Sequence, residues 1–410
     1  MFTLGVWPGY FSRAKAANVW DLDGNKYIDM SIAGIGANVL GYADPDVDEA
    51  VIEAIASGTS CSLNCPEEVE LAELLCELHP WAEMVRYTRT GGEAMAMAVR
   101  IARAHSGRDK VAFCGYHGWH DWYLAANLSG ENALSDHLLP GLNPAGVPKR
   151  LRGTAFPFRY NKLEEFERIV AAHGQELSAV VMEPIRNMEP QPGFIEGVRA
   201  LADEAKAVLI MDEISSGFRL TTGGAHLVLG SITPDIAVFS KALGNGYPIA
   251  ALTGTAAVME AAQTSFISST NWSERVGPTA AIATIKKYLN EQVAGHLISL
   301  GQKVQQGWSE IAQKYGISIH VGGMKPMSHF SFEGEQDNAL KAYFIQLMLE
   351  QGFLASNLYY AMYAHTDENV QAYLNAMDGA FAGIADALQK GDLREKLDGQ
   401  ESQSGFKRLN

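Results

Sequence analysis

Four short apolar runs constrain the fold of this 410-residue chain more than any other feature. They are "KVAFC" (110–114), "AVVME" (179–183), "AVLIMD" (207–212) and "IAVFS" (236–240), and they are rich in β-branched residues. Helical or loop stretches separate them, as expected for parallel strands that are buried on both faces of a sheet. The pattern therefore predicts an α/β fold with a parallel sheet in the middle of the chain.

Composition excludes several classes of protein. The net charge of −15 argues against a nucleic-acid groove or an anionic membrane surface as the partner, and any phosphate must be held locally. No apolar run reaches the roughly 18 residues that a transmembrane helix needs. The first residues lack the pattern of a signal peptide, and four cysteines fit free thiols, so we expect a cytoplasmic protein.

Three of the runs end in ionisable residues: Glu183, Asp212 and, directly after Ser240, Lys241. Asp212 follows Glu183 by 29 residues, and Lys241 follows Asp212 by another 29, which is about one βα unit plus a strand. Asp212 and Lys241 could form a structural ion pair, or cap the helices that follow. A lysine after a buried strand is also suited to form a Schiff base, because desolvation lowers its pKa. Pyridoxal phosphate needs such a lysine, a carboxylate for its ring nitrogen and a nest for its phosphate.

Two further stretches suit such a cofactor. Gly91 and Gly92 precede a helix predicted over 93–106, and the free N–H groups at its start favour an anion. They could equally be an ordinary glycine-rich start of a helix that binds nothing. In "FCGYHGWHDWY" (113–123), Tyr116 or His117 could stack on a heteroaromatic ring. The histidines of this stretch also suggest a metal site. Gly118 and the aromatic residues argue against a regular helix there, so we expect no metal.

These motifs resemble those of the class III (fold-type I) pyridoxal-phosphate aminotransferases, in particular the glutamate-1-semialdehyde aminomutase-like branch. The likeness rests on "GGEAMAMAVRIAR", "GYHGWHDW", "VVMEP", "LIMDEISSGFR", "PDIAVFSKALGNGYPIAALTG" and "AHTDENV". It implies a large domain whose mostly parallel, seven-stranded sheet lies between helices, and a smaller α+β domain from both termini. We accordingly expect a small-domain segment at 1–45, a cofactor-binding domain at 46–275 and a C-terminal small domain at 276–410.

The resemblance also implies roles for individual residues. Lys241 would bond the cofactor aldehyde and later move a proton, while Asp212 would keep the ring nitrogen protonated. Tyr116 and Ile214 would cover the two ring faces. The remaining implied cofactor-binding residues are Gly91 and Gly92 at the phosphate, His117 beside Tyr116, Glu183 near the phenolic oxygen, and Thr270, which would reach the phosphate of the neighbouring subunit in a homodimer.

Two positions depart from the family pattern. The usual phosphate motif S-G-T-E-A is replaced by Thr90-Gly91-Gly92-Glu93-Ala94, without a hydroxyl at position 92. Pro278 follows Thr270 at a longer interval than in the family. In the N-terminal segment, Arg13 is the only arginine that could hold a substrate carboxylate.

Three functions remain open from the sequence. The first is ping-pong transfer of an amino group from an amino acid, amine or amino sugar to a keto or aldehyde acceptor. The second is an intramolecular aminomutase or a racemase, which needs no second substrate. The third is a non-catalytic dimeric binding protein on the same scaffold.

Overall fold

The computed structural model describes residues 6–130, 133–135, 137, 141–230, 232–334 and 336–401. The strands are β1 (Phe11–Lys15), β2 (Asn18–Asp21), β3 (Lys26–Asp29), β4 (Met84–Thr88), β5 (Lys110–Cys114), β6 (Ala155–Pro157), β7 (Leu177–Met182), β8 (Val208–Asp212), β9 (Ile236–Phe239), β10 (Ala250–Gly254), β11 (Ile319–Gly322), β12 (Met327–Phe332), β13 (Phe353–Leu354) and β14 (Leu358–Tyr360). The helices are α1 (Ala33–Gly36), α2 (Pro45–Ala56), α3 (Pro66–Leu78), α4 (Gly91–Ser106), α5 (Asp121–Leu124), α6 (Leu163–His173), α7 (Phe194–Ala205), α8 (His226–Leu229), α9 (Ala256–Met259), α10 (Val276–Glu291), α11 (Val293–Tyr315), α12 (Asp337–Glu350) and α13 (Asp367–Lys390).

The chain divides into two compact units. The larger consists of residues 46–185 and 190–290, and the smaller of residues 1–45, 186–189 and 291–410. The boundary expected after residue 275 differs from this division, because α10 continues to Glu291 and contacts the larger unit. Its Tyr288 ring, for example, packs edge-on against Phe218 at 5.7 Å.

A seven-stranded sheet in the order β4-β10-β9-β8-β7-β5-β6 forms the centre of the larger unit. β10 runs antiparallel to both neighbours, and the pairs from β9 to β6 are parallel, which confirms the predicted fold class. In register, Met182 of β7 lies beside Met211 of β8, and Asp212 beside Val238 of β9. The residues that follow these strands therefore emerge at one edge of the sheet.

Helix α4 packs its apolar face against one face of this sheet. Ala98, Ile101 and Ala102 of the helix share a buried cluster with side chains of β5, β7, β8, β9 and β10. The helix begins at Gly91 because the Thr90 side chain accepts a hydrogen bond from the Glu93 amide at 3.4 Å. It ends at Ser106, and the φ of 68° at the following Gly107 suits a glycine.

The smaller unit contains two sheets, ordered β1-β2-β3-β13 and β11-β12-β14. A hairpin turn at Asp23 and Gly24 joins β2 to β3, and Gly24 has a φ of 87°. Oδ1 of Asp21 accepts hydrogen bonds from the amides of Asp23 and Asn25, which stabilises this turn. No helix in the described part of the chain combines the length and apolar composition needed to cross a bilayer.

His79, directly after α3, is fully buried in the larger unit. Its Nδ1 donates to the Leu75 carbonyl at 2.8 Å, and its Nε2 accepts from the Gly224 amide at 2.9 Å. The ring is therefore neutral. Burial lowers the pKa of His79 to about 4.

We predict that His79 makes stability fall as the pH decreases from about 6.5 towards 4. In that range the unfolded chain binds a proton that the folded chain rejects, so folding is favoured at higher pH, by up to about 3 kcal/mol for this group. Thermal midpoints between pH 7.5 and 4.5 should decline less steeply in His79→Asn than in the unmodified protein. The exposed control His105→Asn should keep the original slope, and equal slopes in all three proteins would contradict this assignment.

Candidate active site

A cavity of about 220 Å³ lies in the larger unit, at the edge where β8 and β9 end. Its walls come from the start of α4 and from the loops that follow β5, β8 and β9. Among the residues predicted to form a site, seven line it: Gly91, Gly92, Tyr116, His117, Asp212, Ile214 and Lys241. Glu183 and Thr270, both in the described part of the chain, are not among the lining residues. The cavity therefore collects most of the residues that the sequence selected.

Asp212 is 3% exposed, and both of its carboxylate oxygens accept a hydrogen bond. Oδ2 contacts Nδ1 of His117 at 2.7 Å, and Oδ1 accepts from the Ile214 amide at 3.1 Å. Nε2 of His117 contacts the Cys114 carbonyl at 3.2 Å. Both partners of the ring are hydrogen-bond acceptors. These bonds fix the direction of the carboxylate at the end of β8.

Lys241 begins a short 3-10 turn after β9 and has a φ of 47°. This left-handed conformation is unfavourable for a residue with a side chain, and such strain is often found where the chain places a group for function. Nζ of Lys241 donates to Oγ of Ser215 at 2.8 Å. Ser240 fixes the preceding residue, because its hydroxyl donates to the Ile249 carbonyl at 2.9 Å. The ammonium group is thereby aimed at the loop that follows Asp212.

The two glycines at the start of α4 leave no space for side chains. A Cβ on Gly91 would lie 2.8 Å from Cδ1 of Ile214, and one on Gly92 would lie 2.9 Å from Cε1 of His120. Backbone N–H groups of the first helical turn lack partners within the helix, and the helix dipole makes this end favourable for an anion. The wall of the cavity is therefore bare backbone at the point best suited to a phosphate.

Glu183 supports the loop that carries Tyr116. Its Oε2 accepts a hydrogen bond from the Tyr116 amide at 3.0 Å. Gly115, between β5 and Tyr116, has a φ of 119°, and a Cβ there would lie 2.6 Å from the same oxygen. The carboxylate therefore lies against the loop backbone, while the Tyr116 side chain lines the cavity.

Thr270 is exposed and lies on the segment between α9 and α10. The same segment ends at Arg275, whose amide donates to the Thr59 carbonyl at 2.9 Å and whose guanidinium pairs with Glu67. Thr270 is thus on the surface of its own larger unit.

Sequence reasoning missed the contact between Ser215 and Lys241. Ser215 follows Asp212 by three residues in "LIMDEISSGFR", so its place on the same loop was the available signal.

Sequence reasoning also missed the residue that holds this loop in place. Glu213 is fully buried and accepts from Nδ1 and the amide of His226 at 2.7 and 2.9 Å. Nε2 of His226 in turn accepts from the Trp81 indole at 3.1 Å.

The Glu213 carboxylate is ionised despite its burial. Burial opposes ionisation, but the hydrogen bonds from His226 and Ser216 outweigh it and hold the pKa of Glu213 below its usual value. Asp212 and Glu213 are neighbours in sequence, yet Asp212 lines the cavity and Glu213 holds the loop through its hydrogen bonds to His226. The loop that carries Ile214 and Ser215 is therefore held rigidly.

Comparison with known families agrees with this geometry. The model of the class-III aminotransferases matches residues 6–381, and the chain belongs to that family. Its members use pyridoxal phosphate, and the chain is accordingly a pyridoxal-phosphate-dependent enzyme that transfers amino groups. This excludes the non-catalytic function.

Individual relatives cover nearly the whole chain. The 3-aminobutyryl-CoA aminotransferase of Cloacimonas acidaminovorans (strain Evry) is 32% identical over 94% of this chain and 92% of its own. The structure of the FumI protein of Sphingopyxis sp. MTA144 superposes with a TM-score of 0.86, at 26% identity, over 95% of this chain and 92% of that one. An omega-transaminase from Sphaerobacter thermophilus gives a TM-score of 0.83, at 26% identity, over 93% and 92%.

The predicted branch is also represented among the similar structures. A glutamate-1-semialdehyde aminomutase from Pseudomonas aeruginosa PAO1 superposes with a TM-score of 0.79, at 21% identity, over 92% of this chain and 89% of that one. At this identity the likeness shows the shared fold.

We predict that Gly91→Ala weakens retention of pyridoxal phosphate by at least about tenfold. The added methyl group lies within contact distance of Ile214 and forces either that side chain or the start of α4 to move. Equilibrium dialysis followed by absorbance of the bound cofactor measures the effect. Gly295→Ala is the matched control, because a Cβ at that exposed helical position meets no atom within 4 Å. Unchanged retention in Gly91→Ala would show that the cofactor does not rely on this wall.

Proposed function

We propose that the cavity between α4, β8 and β9 holds pyridoxal phosphate and is the active site. The single observation that carries this proposal is that the Lys241 side chain and the Asp212 carboxylate line one cavity together with a glycine wall at a helix N-terminus. An amine, an acid and an anion nest are the groups that this cofactor requires. The close approach of any Cβ at Gly91 or Gly92 supports the fit, since only bare backbone leaves the space free.

Each residue has a defined task in this proposal. Lys241 holds the aldehyde end of the cofactor, and Asp212 holds its ring nitrogen. The amides around Gly91 and Gly92 receive the phosphate. Ile214 and Tyr116 border the ring. His117 positions the Asp212 carboxylate, and Glu183 positions the Tyr116 backbone.

Pyridoxal phosphate, when bound, supplies an aldehyde that accepts the amino group and a conjugated ring that delocalises electrons released at the substrate carbon. The protein supplies the proton transfers. Nζ of Lys241 removes and returns the proton at that carbon, and Ser215 Oγ, at 2.8 Å, orients the amine. Asp212, held by His117 and the Ile214 amide, keeps a negative charge at the ring nitrogen. Trp119 lines the same cavity.

We infer intermolecular amino transfer by a ping-pong scheme, with a small amino compound as donor and a keto or aldehyde compound as acceptor. The name of the Cloacimonas relative supports a donor whose amino group is on the β-carbon of an acyl group. An aminomutase is the second candidate, supported by the shared fold of the Pseudomonas enzyme.

An amino-donor screen tests this proposal. A productive donor alone should bleach the yellow absorbance of the loaded enzyme, and an added keto acid should restore it. Isomerisation of a single substrate without a keto partner would instead establish the aminomutase.

The Lys241→Ala variant is the critical comparison in that screen. It should lose turnover by at least about 10³-fold, because the proton-transferring amine is absent, and borohydride should no longer attach the cofactor to the chain. Lys149→Ala, an exposed control, should behave as the unmodified enzyme. Full turnover in Lys241→Ala would remove that residue from its role.

We also propose that the enzyme is a homodimer in which Thr270 contributes to the site of the partner. Phe266, four residues before Thr270, is 89% exposed. Arg275 of the same segment donates a hydrogen bond to the Thr59 carbonyl, and Leu63, four residues after Thr59, is 77% exposed. Large exposed apolar side chains of this kind are typical of protein interfaces.

Sedimentation equilibrium should accordingly give twice the chain mass of 44.4 kDa. The double variant Phe266→Ser/Leu63→Ser should shift the equilibrium towards the single chain, and Leu388→Ser, a 42% exposed position in the smaller unit, serves as control. A single-chain mass for the unmodified protein at micromolar concentration would contradict the dimer.

We also propose that the enzyme is cytoplasmic. All four cysteines, which lie in the described part of the chain, are free thiols, as expected in a reducing compartment. Cell fractionation that recovers the protein with a periplasmic or secreted marker would contradict this assignment.

A further inference from the structure

A cleft of about 740 Å³ runs along the outer side of α4 in the larger unit. Arg100 and Arg103, three residues apart and therefore on one face of the helix, both line it. Each makes one hydrogen bond to a backbone carbonyl: Arg100 to Phe266 at 3.3 Å and Arg103 to Asp109 at 3.0 Å. Within the described residues neither forms a direct ion pair with a carboxylate, although Arg103 lies close enough to Asp109 for their charges to interact, and the chain carries a net charge of −15. The cleft therefore concentrates positive charge on an acidic protein.

The same cleft contains buried polar atoms without a hydrogen-bond partner. Trp122 lines the cleft and is 5% exposed, and its indole N–H has no acceptor among the described residues. Nδ1 of His120, also in the lining, has no partner there either. Asp121 is the one acidic side chain among the described lining residues. The unpartnered N–H of Trp122 is costly to bury, and the guanidinium groups of Arg100 and Arg103 beside it are also donors, so acceptor groups suit this cleft.

The cleft and the active-site cavity share one lining residue. Trp119 lines both spaces, and its indole is stacked on the His120 ring at 4.6 Å. Arg100 and Arg103 follow Gly92 by eight and eleven residues, or roughly 12 and 16 Å along the helix at 1.5 Å per residue. A molecule that reacts in the cavity can therefore reach the arginines only with a long tail.

We propose that the cleft binds the phosphate-bearing tail of the amino donor, as in an acyl-CoA thioester. Arginine forks match phosphate oxygens, the exposed Trp119 offers a flat surface beside them, and the distance requires an extended linker. This inference rests on the proposed function, because the amino end of the donor occupies the active-site cavity. The CoA ester in the name of the Cloacimonas relative has this chemistry.

Binding to the loaded enzyme is measured first, by calorimetry with CoA and with pyrophosphate as probes. CoA should bind, and the double variant Arg100→Gln/Arg103→Gln should weaken it at least about tenfold, since hydrogen bonds to charged groups contribute strongly. The single variant Arg100→Gln, at an exposed position, should show a smaller loss in the same direction. Arg168→Gln, which removes an exposed arginine elsewhere in the larger unit, should leave the affinity unchanged.

Kinetics then separate a substrate tail from a free phosphate. For 3-aminobutyryl-CoA the double variant should raise KM at least about tenfold with kcat little changed, while KM for 3-aminobutyrate should stay constant. Three results would overturn the inference. They are an equal change of KM for both donors, an unaltered affinity for CoA in the double variant, and a change in dimer mass without a change in CoA affinity. Tight pyrophosphate binding without an effect on KM for the CoA ester would also overturn it, because the cleft would then serve free phosphate. Loss of CoA binding in the variant, together with no amino transfer by the unmodified enzyme, would instead contradict the proposed function alone.

Discussion

The carboxylate of Asp212 is held at the end of a buried strand by His117 and by the Ile214 amide, and the rest of the site is arranged around it. The His117 contact ties the loop after β5 to β8, and the amide contact turns Ile214 and Ser215 towards Lys241. Because a buried carboxylate is stable only when its oxygens are satisfied, these bonds fix loops from different strands relative to one another. The cavity is a consequence of that requirement.

Burial of Glu213 next to Asp212 solves a second electrostatic problem. Two adjacent carboxylates would repel each other strongly if both faced the same apolar space. They contact separate donors, His117 for Asp212 and His226 for Glu213, so each carboxylate is stabilised by its own hydrogen bonds. The result is a loop that is anchored on one side and presents its functional groups on the other.

Much of this arrangement could be predicted from individual residues. The apolar runs before Asp212 and Lys241 indicated buried strands, and the parallel order of such strands brings their ends to one edge. The glycines at 91 and 92 marked the start of α4. The position of Glu183 against the Tyr116 backbone could not be predicted, because it depends on the φ of 119° at Gly115. Nor could the end of the larger unit at 290, since the apolar pattern of α10 does not reveal which unit it packs against.

The sequence by itself determined the chemistry: an amine, an acid and bare backbone at successive strand and helix ends, in an order typical of class-III aminotransferases. Tertiary structure alone decided which of these groups meet. Lys241 contacts Ser215, and Glu213 contacts His226. Arg100, Arg103 and Trp122 line one cleft. The number of residues between the members of each set does not predict how far apart they lie in space. Those distances are set by strand register and helix packing, which are properties of the whole core.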